Sequence, residues 1–169
     1  MTVSARTCAQ NATHSSQMKT QLWTFTERLK QPSEVIVSVH EGGCLCGGVR
    51  FRVTAAPLDS GYCHCRMCQR NSGAPVVAWA TFPVTGFEWI AGKAAEYRSS
   101  AEATRHFCAS CGSYLVFSST KSPNEISVNT ASFDTPETFP PRKHIFVESR
   151  ISWFHTADDL PESVGYGGG

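Results

Sequence analysis

Seven cysteines gather in three short groups: Cys44-Leu45-Cys46, Cys63-His64-Cys65-Arg66-Met67-Cys68 and Cys108-Ala109-Ser110-Cys111. Thiolates are soft ligands, and zinc prefers four of them in a tetrahedron, with Zn–S near about 2.3 Å. A Cys-x-x-Cys turn aims two sulfurs at one ion, and a following glycine such as Gly112 lets the backbone turn back without a Cβ clash. In Cys-x-Cys on an extended chain both side chains fall on the same side, so Cys44 and Cys46 can share an ion as well. Buried structural thiols are the alternative, since free cysteine is often buried. That reading leaves the clustering unexplained. A disulfide framework suits neither the odd number nor the absence of a secretion-type leader. Metal binding is the expected chemistry.

Two pairings are open. Spacing alone would join Cys65 and Cys68 with Cys108 and Cys111 as a zinc ribbon, but 39 residues separate the pairs, against the usual roughly 15–20. Counting divides seven thiolates into four plus three. Four saturate one structural zinc. Three leave a second zinc with an open position, which is how catalytic zinc sites are built. Such a zinc can take an incoming thiol and lower its pKa, yielding the reactive thiolate at neutral pH.

Other polar groups near the cysteines have plainer readings. His64, between two ligands, is expected to point away from the metal, since its neighbours point toward it; a fourth ligand or a proton shuttle is the alternative. Arg66 and Arg70 read as solvated charges, although a guanidinium fork also suits the carboxylates of a thiol substrate. Met67 reads as packing. His106 reads as a strand residue that could donate to a metal-bound sulfur. Trp79, Trp89, Trp153, Phe87 and Phe154 read as core. His155, Asp158 and Asp159 read as loop polarity, with no catalytic role.

The elements that must position these groups are mostly strands. Val35, Val37 and Val39 alternate with other residues, as do Val49, Phe51 and Val53, and period two marks a strand. Residues 76–82, 87–90, 103–107, 114–117, 126–131 and 144–147 read the same way, separated by glycine and proline, so the fold class is mainly β. Met18, Leu22, Phe25 and Leu29 are spaced for one face of a short helix that Pro32 would stop; no convincing helix is expected beyond residue 33. Residues 1–37 are an N-terminal extension, partly disordered, with Met18 as an alternative start and Cys8 as a spare thiol. Residues 163–169 are a flexible tail.

Composition narrows the function. Of 169 residues, 41% are hydrophobic and 17% charged, which supports a packed core. The net charge is +1 and no basic run exists, so neither nucleic acid nor an anionic membrane is an expected partner. No apolar run approaches the roughly 20 residues of a membrane span. The cytoplasm is the expected compartment.

The run Gly43-Cys44-Leu45-Cys46-Gly47-Gly48-Val49-Arg50-Phe51, then Cys63 through Arg70 with Gly73, then Phe107 through Gly112, resembles the glutathione-dependent formaldehyde-activating enzyme and centromere protein V family in order and spacing. Pro141, His144-Ile145-Phe146-Val147, Trp153-Phe154 and Asp158-Asp159-Leu160-Pro161 resemble its C-terminal signature. The resemblance covers residues 38–162. It implies an Mss4-like fold of several short coiled antiparallel sheets organised around zinc. It also implies a structural zinc on Cys44, Cys46, Cys108 and Cys111, and a second, catalytic zinc on Cys63, Cys65 and Cys68. The implied activity is that of a carbon–sulfur lyase forming or cleaving S-hydroxymethylglutathione, with glutathione and formaldehyde as small-molecule partners. The alternatives are a carrier or lyase for another thiol adduct, and a non-catalytic binding module of the centromere protein V type, which would be expected to carry a basic or proline-rich extension. A methionine sulfoxide reductase is set aside because no cysteine follows Cys111.

Overall fold

The alternation at Val49, Phe51 and Val53 produces strand β2 (Arg50–Val53), which buries Phe51 and Val53 completely and turns Arg50 and Arg52 to the other face. The computed structural model describes residues 38–166, all within one compact unit, Ile36–Gly169. The helix expected through Met18, Leu22, Phe25 and Leu29 lies outside the described residues, as do Cys8, Val35 and Val37.

Strand β2 is the middle of an antiparallel three-stranded sheet, flanked by β1 (His40–Gly43) and by β5 (Phe87–Ala91). Arg52 stands opposite Glu41 on one neighbour and Glu88 on the other. It pairs with them at 2.7 and 2.9 Å. Such solvent-facing pairs contribute roughly 0.2–1 kcal/mol each and serve mainly to fix register.

The second sheet has eight strands: β3 (Asp59–Cys63), β4 (Val77–Pro83), β6 (Ala95–Arg98), β7 (Ala103–Phe107), β8 (Tyr114–Ser119), β9 (Glu125–Asn129), β10 (His144–Ile145) and β11 (Glu162–Ser163). Their order across the sheet is β11-β10-β3-β4-β9-β8-β7-β6. Pairing is antiparallel except at β10, which runs parallel to both β3 and β11. The fold is mainly β, as expected of an Mss4-like domain.

The core joins the two sheets. Phe51 and Val53 meet Ala80, Phe82, Leu115, Val116 and Val128, all essentially inaccessible to water. Phe133 and Phe139, from the segment after β9, close it: Phe133 stands edge-on to Phe51 at 5.1 Å, and Phe139 edge-on to Phe82 at 5.1 Å. Each fully buried side chain of this kind is worth about 1.5–3 kcal/mol over exposure.

Several expectations change. A helix does occur beyond residue 33: α1, Arg66–Ser72. Seven residues are too few for an apolar period to register, and its ends are fixed by caps instead. Cys65 accepts from the Cys68 amide at the N-terminus, and Gly73 stops the helix with a φ of 70°. The strand expected over 144–147 stops at Ile145, because Phe146 takes a left-handed φ of 57° and a 3-10 turn, Val147–Ser149, follows. Met67 and Trp153, read as packing and core, are 53% and 70% exposed. Val39 is exposed and precedes β1 rather than forming a strand. Among the described residues no helix is long and apolar enough to cross a membrane.

Candidate metal centres

Two hairpin loops, one from each sheet, bring four thiols together. The loop between β1 and β2 carries Cys44 and Cys46, and the loop between β7 and β8 carries Cys108 and Cys111. The loops close alike. The amide of the first cysteine donates to the carbonyl five residues on, Cys44 to Val49 and Cys108 to Ser113, both at 3.0 Å. Gly47 and Gly112 then donate back to Cys44 and Cys108 at 2.9 Å, with φ of 74° and 75°. A side chain would be strained at that φ. Cys44 and Cys46 therefore converge through a turn, not through the extended chain expected for Cys-x-Cys.

The four sulfurs lie within 4.8 Å of one another. Cys44 Sγ and Cys46 Sγ are 3.4 Å apart, and Cys46 Sγ and Cys108 Sγ 3.7 Å. A tetrahedral zinc with Zn–S near 2.3 Å requires an edge of about 3.8 Å, so the set fits one ion. The Val49 amide donates to Cys44 Sγ at 3.2 Å, and Ser113 Oγ sits 3.3 Å from Cys111 Sγ. The Ser113 contact pulls the Cys111 thiol down to about 5. Cys46, despite the Gly48 amide that favours its thiolate, is pushed up to about 11 by Cys44 and Cys111. Neighbours this close cannot all ionise without a cation between them.

The second set is Cys63, Cys65 and Cys68, whose sulfurs also lie within 4.8 Å of one another. Cys63 ends β3, Cys65 caps α1, and Cys68 lies in its first turn. Here the chain between Cys63 and Cys65 is extended at the end of a strand, and the alternation works as expected, with His64 directed to the opposite side. Cys63 is buried, while Cys65 and Cys68 are partly open to solvent. Hydrogen bonds from Cys63 and Cys68 draw the Cys65 thiol down to about 2, and the same crowding by Cys65 and Cys68 drives Cys63 far above its ordinary value. Both sets are thus able to hold a metal ion, and thiol-only donors suit zinc.

His64 is fully buried, and its Nε2 lies 2.8 Å from His144 Nδ1. His144 Nε2 in turn lies 3.0 Å from Asp158 Oδ1. His64 Nδ1 is buried without a partner. A buried bare acceptor is tolerated better than a buried bare N–H, so the network places the His64 proton on Nε2 and runs donation outward from His64 through His144 to Asp158. The Tyr62 ring stacks on His144 at 5.1 Å. Asp158, read as loop polarity, therefore fastens the segment that carries Cys63 and Cys65 to the C-terminal part of the chain.

Arg66 and Arg70 are exposed, on one face of α1, where they border a shallow pocket with Gln69, Ile151 and Trp153. Helical geometry puts Cys68 on the opposite face. His106 lies 3.1 Å from Ser118 Oγ rather than on a sulfur.

Arg105 and Tyr114 went unrecognised in the sequence. Arg105 is 3% exposed, and its Nη1 and Nη2 donate to Cys68 Sγ at 3.9 and 3.8 Å. Its Nη1 also reaches Tyr114 Oη at 3.2 Å, and its Nε reaches Ser99 Oγ at 3.2 Å. A signal existed: alternation along β7 puts Arg105 on the same inward face as Ala103.

A mainly β scaffold with one set of four thiols and a separate set of three defines a thiol-rich domain with two candidate metal centres. The profile of the glutathione-dependent formaldehyde-activating enzyme family matches residues 39–149, and this chain belongs to that family. A Halomonas elongata protein provisionally named a glutathione-dependent formaldehyde-activating enzyme is 30% identical over 122 residues, 67% of this chain and 78% of that protein. A Schizosaccharomyces pombe protein named as an uncharacterized lyase is 30% identical over 92 residues, 53% of this chain and 65% of that one. A Rhodobacter sphaeroides protein of known crystal structure covers 73% of this chain and 99% of its own, at 22% identity and a TM-score of 0.48.

Proposed function

We propose that this chain is a zinc-dependent carbon–sulfur lyase that forms and cleaves the adduct of glutathione with formaldehyde. Cys63, Cys65 and Cys68 are its catalytic metal ligands, and Cys44, Cys46, Cys108 and Cys111 hold a structural zinc. One observation carries the reading: three thiols converge as a set of their own, with Cys65 and Cys68 partly open to solvent, beside a set of four that needs no further ligand. Membership of the family supports glutathione and formaldehyde as the substrates.

A zinc held by three thiolates would supply a Lewis acid with one exchangeable position, which favours the ionised form of an incoming thiol. The protein's own part is positional. Strand β3 and the cap of α1 hold three sulfurs at fixed spacing, and the hydrogen-bonded chain from buried His64 and His144 out to the exposed Asp158 secures the backbone between two of them. In the forward direction the substrate sulfur bonds to the aldehyde carbon, the carbonyl π pair moves to oxygen, and the thiol proton ends on that oxygen. Cleavage is the reverse. Clustered cysteines held as thiols rather than disulfides suit a reducing compartment, which supports the cytoplasm.

The test is Cys68→Ser in the full-length protein. Adduct formation and cleavage should fall to the uncatalysed rate while the circular dichroism and the zinc of the four-thiol set are retained. Activity at the wild-type level in that variant would overturn the assignment.

A further inference from the structure

Arg105 is a buried cation without a carboxylate. Its guanidinium forms no ion pair with Asp or Glu among the described residues, and the groups acting on it are Tyr114 and the sulfurs of Cys68 and Cys65. The Tyr114 and Phe117 rings flank it at 5.5 Å. Tyr114 is no counter-ion, because burial pushes its phenol further above the ordinary range. A buried charge requires a partner of opposite sign. The sulfur of Cys68, contacted by both terminal nitrogens, is the group in place to be that partner.

The charges then balance in one specific way. Three thiolates around a divalent cation leave one net negative charge, and one guanidinium cancels it. The four-thiol set is built differently. Among the described residues its sulfurs receive backbone amides and lie against a hydroxyl, and Arg105 is the guanidinium that reaches a cysteine sulfur.

We infer that Arg105 is the counter-ion and positioning residue of the three-cysteine centre, orienting Cys68 and setting how tightly that centre, and not the four-cysteine one, holds a divalent metal. The inference rests on the reading of Cys63, Cys65 and Cys68 as metal ligands. A donor bonded to a ligand fixes its orientation and drains charge from it, and loss of such a partner typically costs about 10- to 100-fold in metal affinity. Arg105 acts through Cys68, whose sulfur both of its terminal nitrogens reach.

The experiment compares the full-length wild type with Arg105→Gln and Arg105→Lys. Zinc per chain and the affinity of each site are measured by competition with a chromophoric chelator, and the thiolate-to-cobalt charge-transfer band is recorded after Co2+ loading. The expected result is two sites in the wild type. In Arg105→Gln the weaker site should lose about 10- to 100-fold in affinity, with its cobalt band shifted and the tighter site unchanged. Arg105→Lys, which keeps the charge but not the fork, should recover part of both changes. One metal per wild-type chain would overturn the metal reading of the three-cysteine set and the role of Arg105 with it. Two metals in the wild type, with both Arg105→Gln sites and the cobalt band unaltered, would overturn the role of Arg105 alone. So would equal loss of both sites in the two variants, since that is the mark of a residue needed only for folding.

Discussion

Cys65 Sγ accepts a hydrogen bond from the backbone amide of Cys68 at 3.3 Å, so one sulfur both caps helix α1 and faces the three-thiol set. Helix formation and assembly of the candidate centre are thereby one event. Cys68 reaches its place only if the first turn of α1 forms, and that turn is capped by another thiol of the same set.

The two jobs of Cys65 can be separated. Serine caps a helix well but binds zinc poorly in place of a thiolate; alanine does neither. Cys65→Ser should lose the metal of the three-thiol set while keeping α1. Cys65→Ala should lose the same metal and a further ~1 kcal/mol of stability. Metal content and urea midpoints of the two variants, each carrying one zinc, check this.

Gly92 follows β5 with a φ of 65°, and a Cβ there would meet the Gly48 carbonyl oxygen at 1.9 Å. Gly48 lies in the loop that presents Cys46. Gly92→Ala should therefore destabilise the fold by about 2 kcal/mol or more through a steric and a backbone term together, and weaken the four-thiol set before the three-thiol set. Chemical denaturation with zinc release followed in parallel would show the order.

The buried imidazole pair makes a different prediction. Removing His144 leaves His64 Nε2 unpaired in a dry site, so His144→Ala should cost about 2–4 kcal/mol. The other end of the chain reads out by titration. The hydrogen bond from His144 holds the Asp158 carboxyl below its ordinary 3.8. A carboxylate with a lowered folded pKa contributes stability above its unfolded value and loses it as pH falls through the folded one. The carboxyl carbon resonance of Asp158 should titrate with a midpoint below 3.8 in the wild type and move upward in His144→Phe.

The sequence was most legible where residue type alone carries chemistry. Cysteines cluster for few reasons, so the groups at 44–46, 63–68 and 108–111 pointed to candidate metal sites before any element was placed, and the fold brings them together as two sets able to hold an ion. Strands that alternate cleanly, such as β2 and β9, were visible for the same reason: one face is dry. Strand β3 was not, because Asp59-Ser60-Gly61-Tyr62-Cys63 has no apolar alternation. It is a strand because β4 and β10 pair with it on both sides, a tertiary effect that local pattern does not record. His144 and Arg105 were obscured differently. Each is a polar residue whose partner lies far along the chain, His64 80 residues away and Cys68 37 residues away. Only their inward positions on strands hinted at burial.

The most direct test of the account is the interconversion of glutathione, carbon-13 formaldehyde and their S-hydroxymethyl adduct, followed by NMR exchange with zinc per chain determined on the same sample. The account predicts exchange faster than the uncatalysed reaction at two zincs per chain. It predicts the uncatalysed rate for Cys68→Ser at one zinc with the fold intact. Exchange at the uncatalysed rate in wild-type protein carrying two zincs would contradict it.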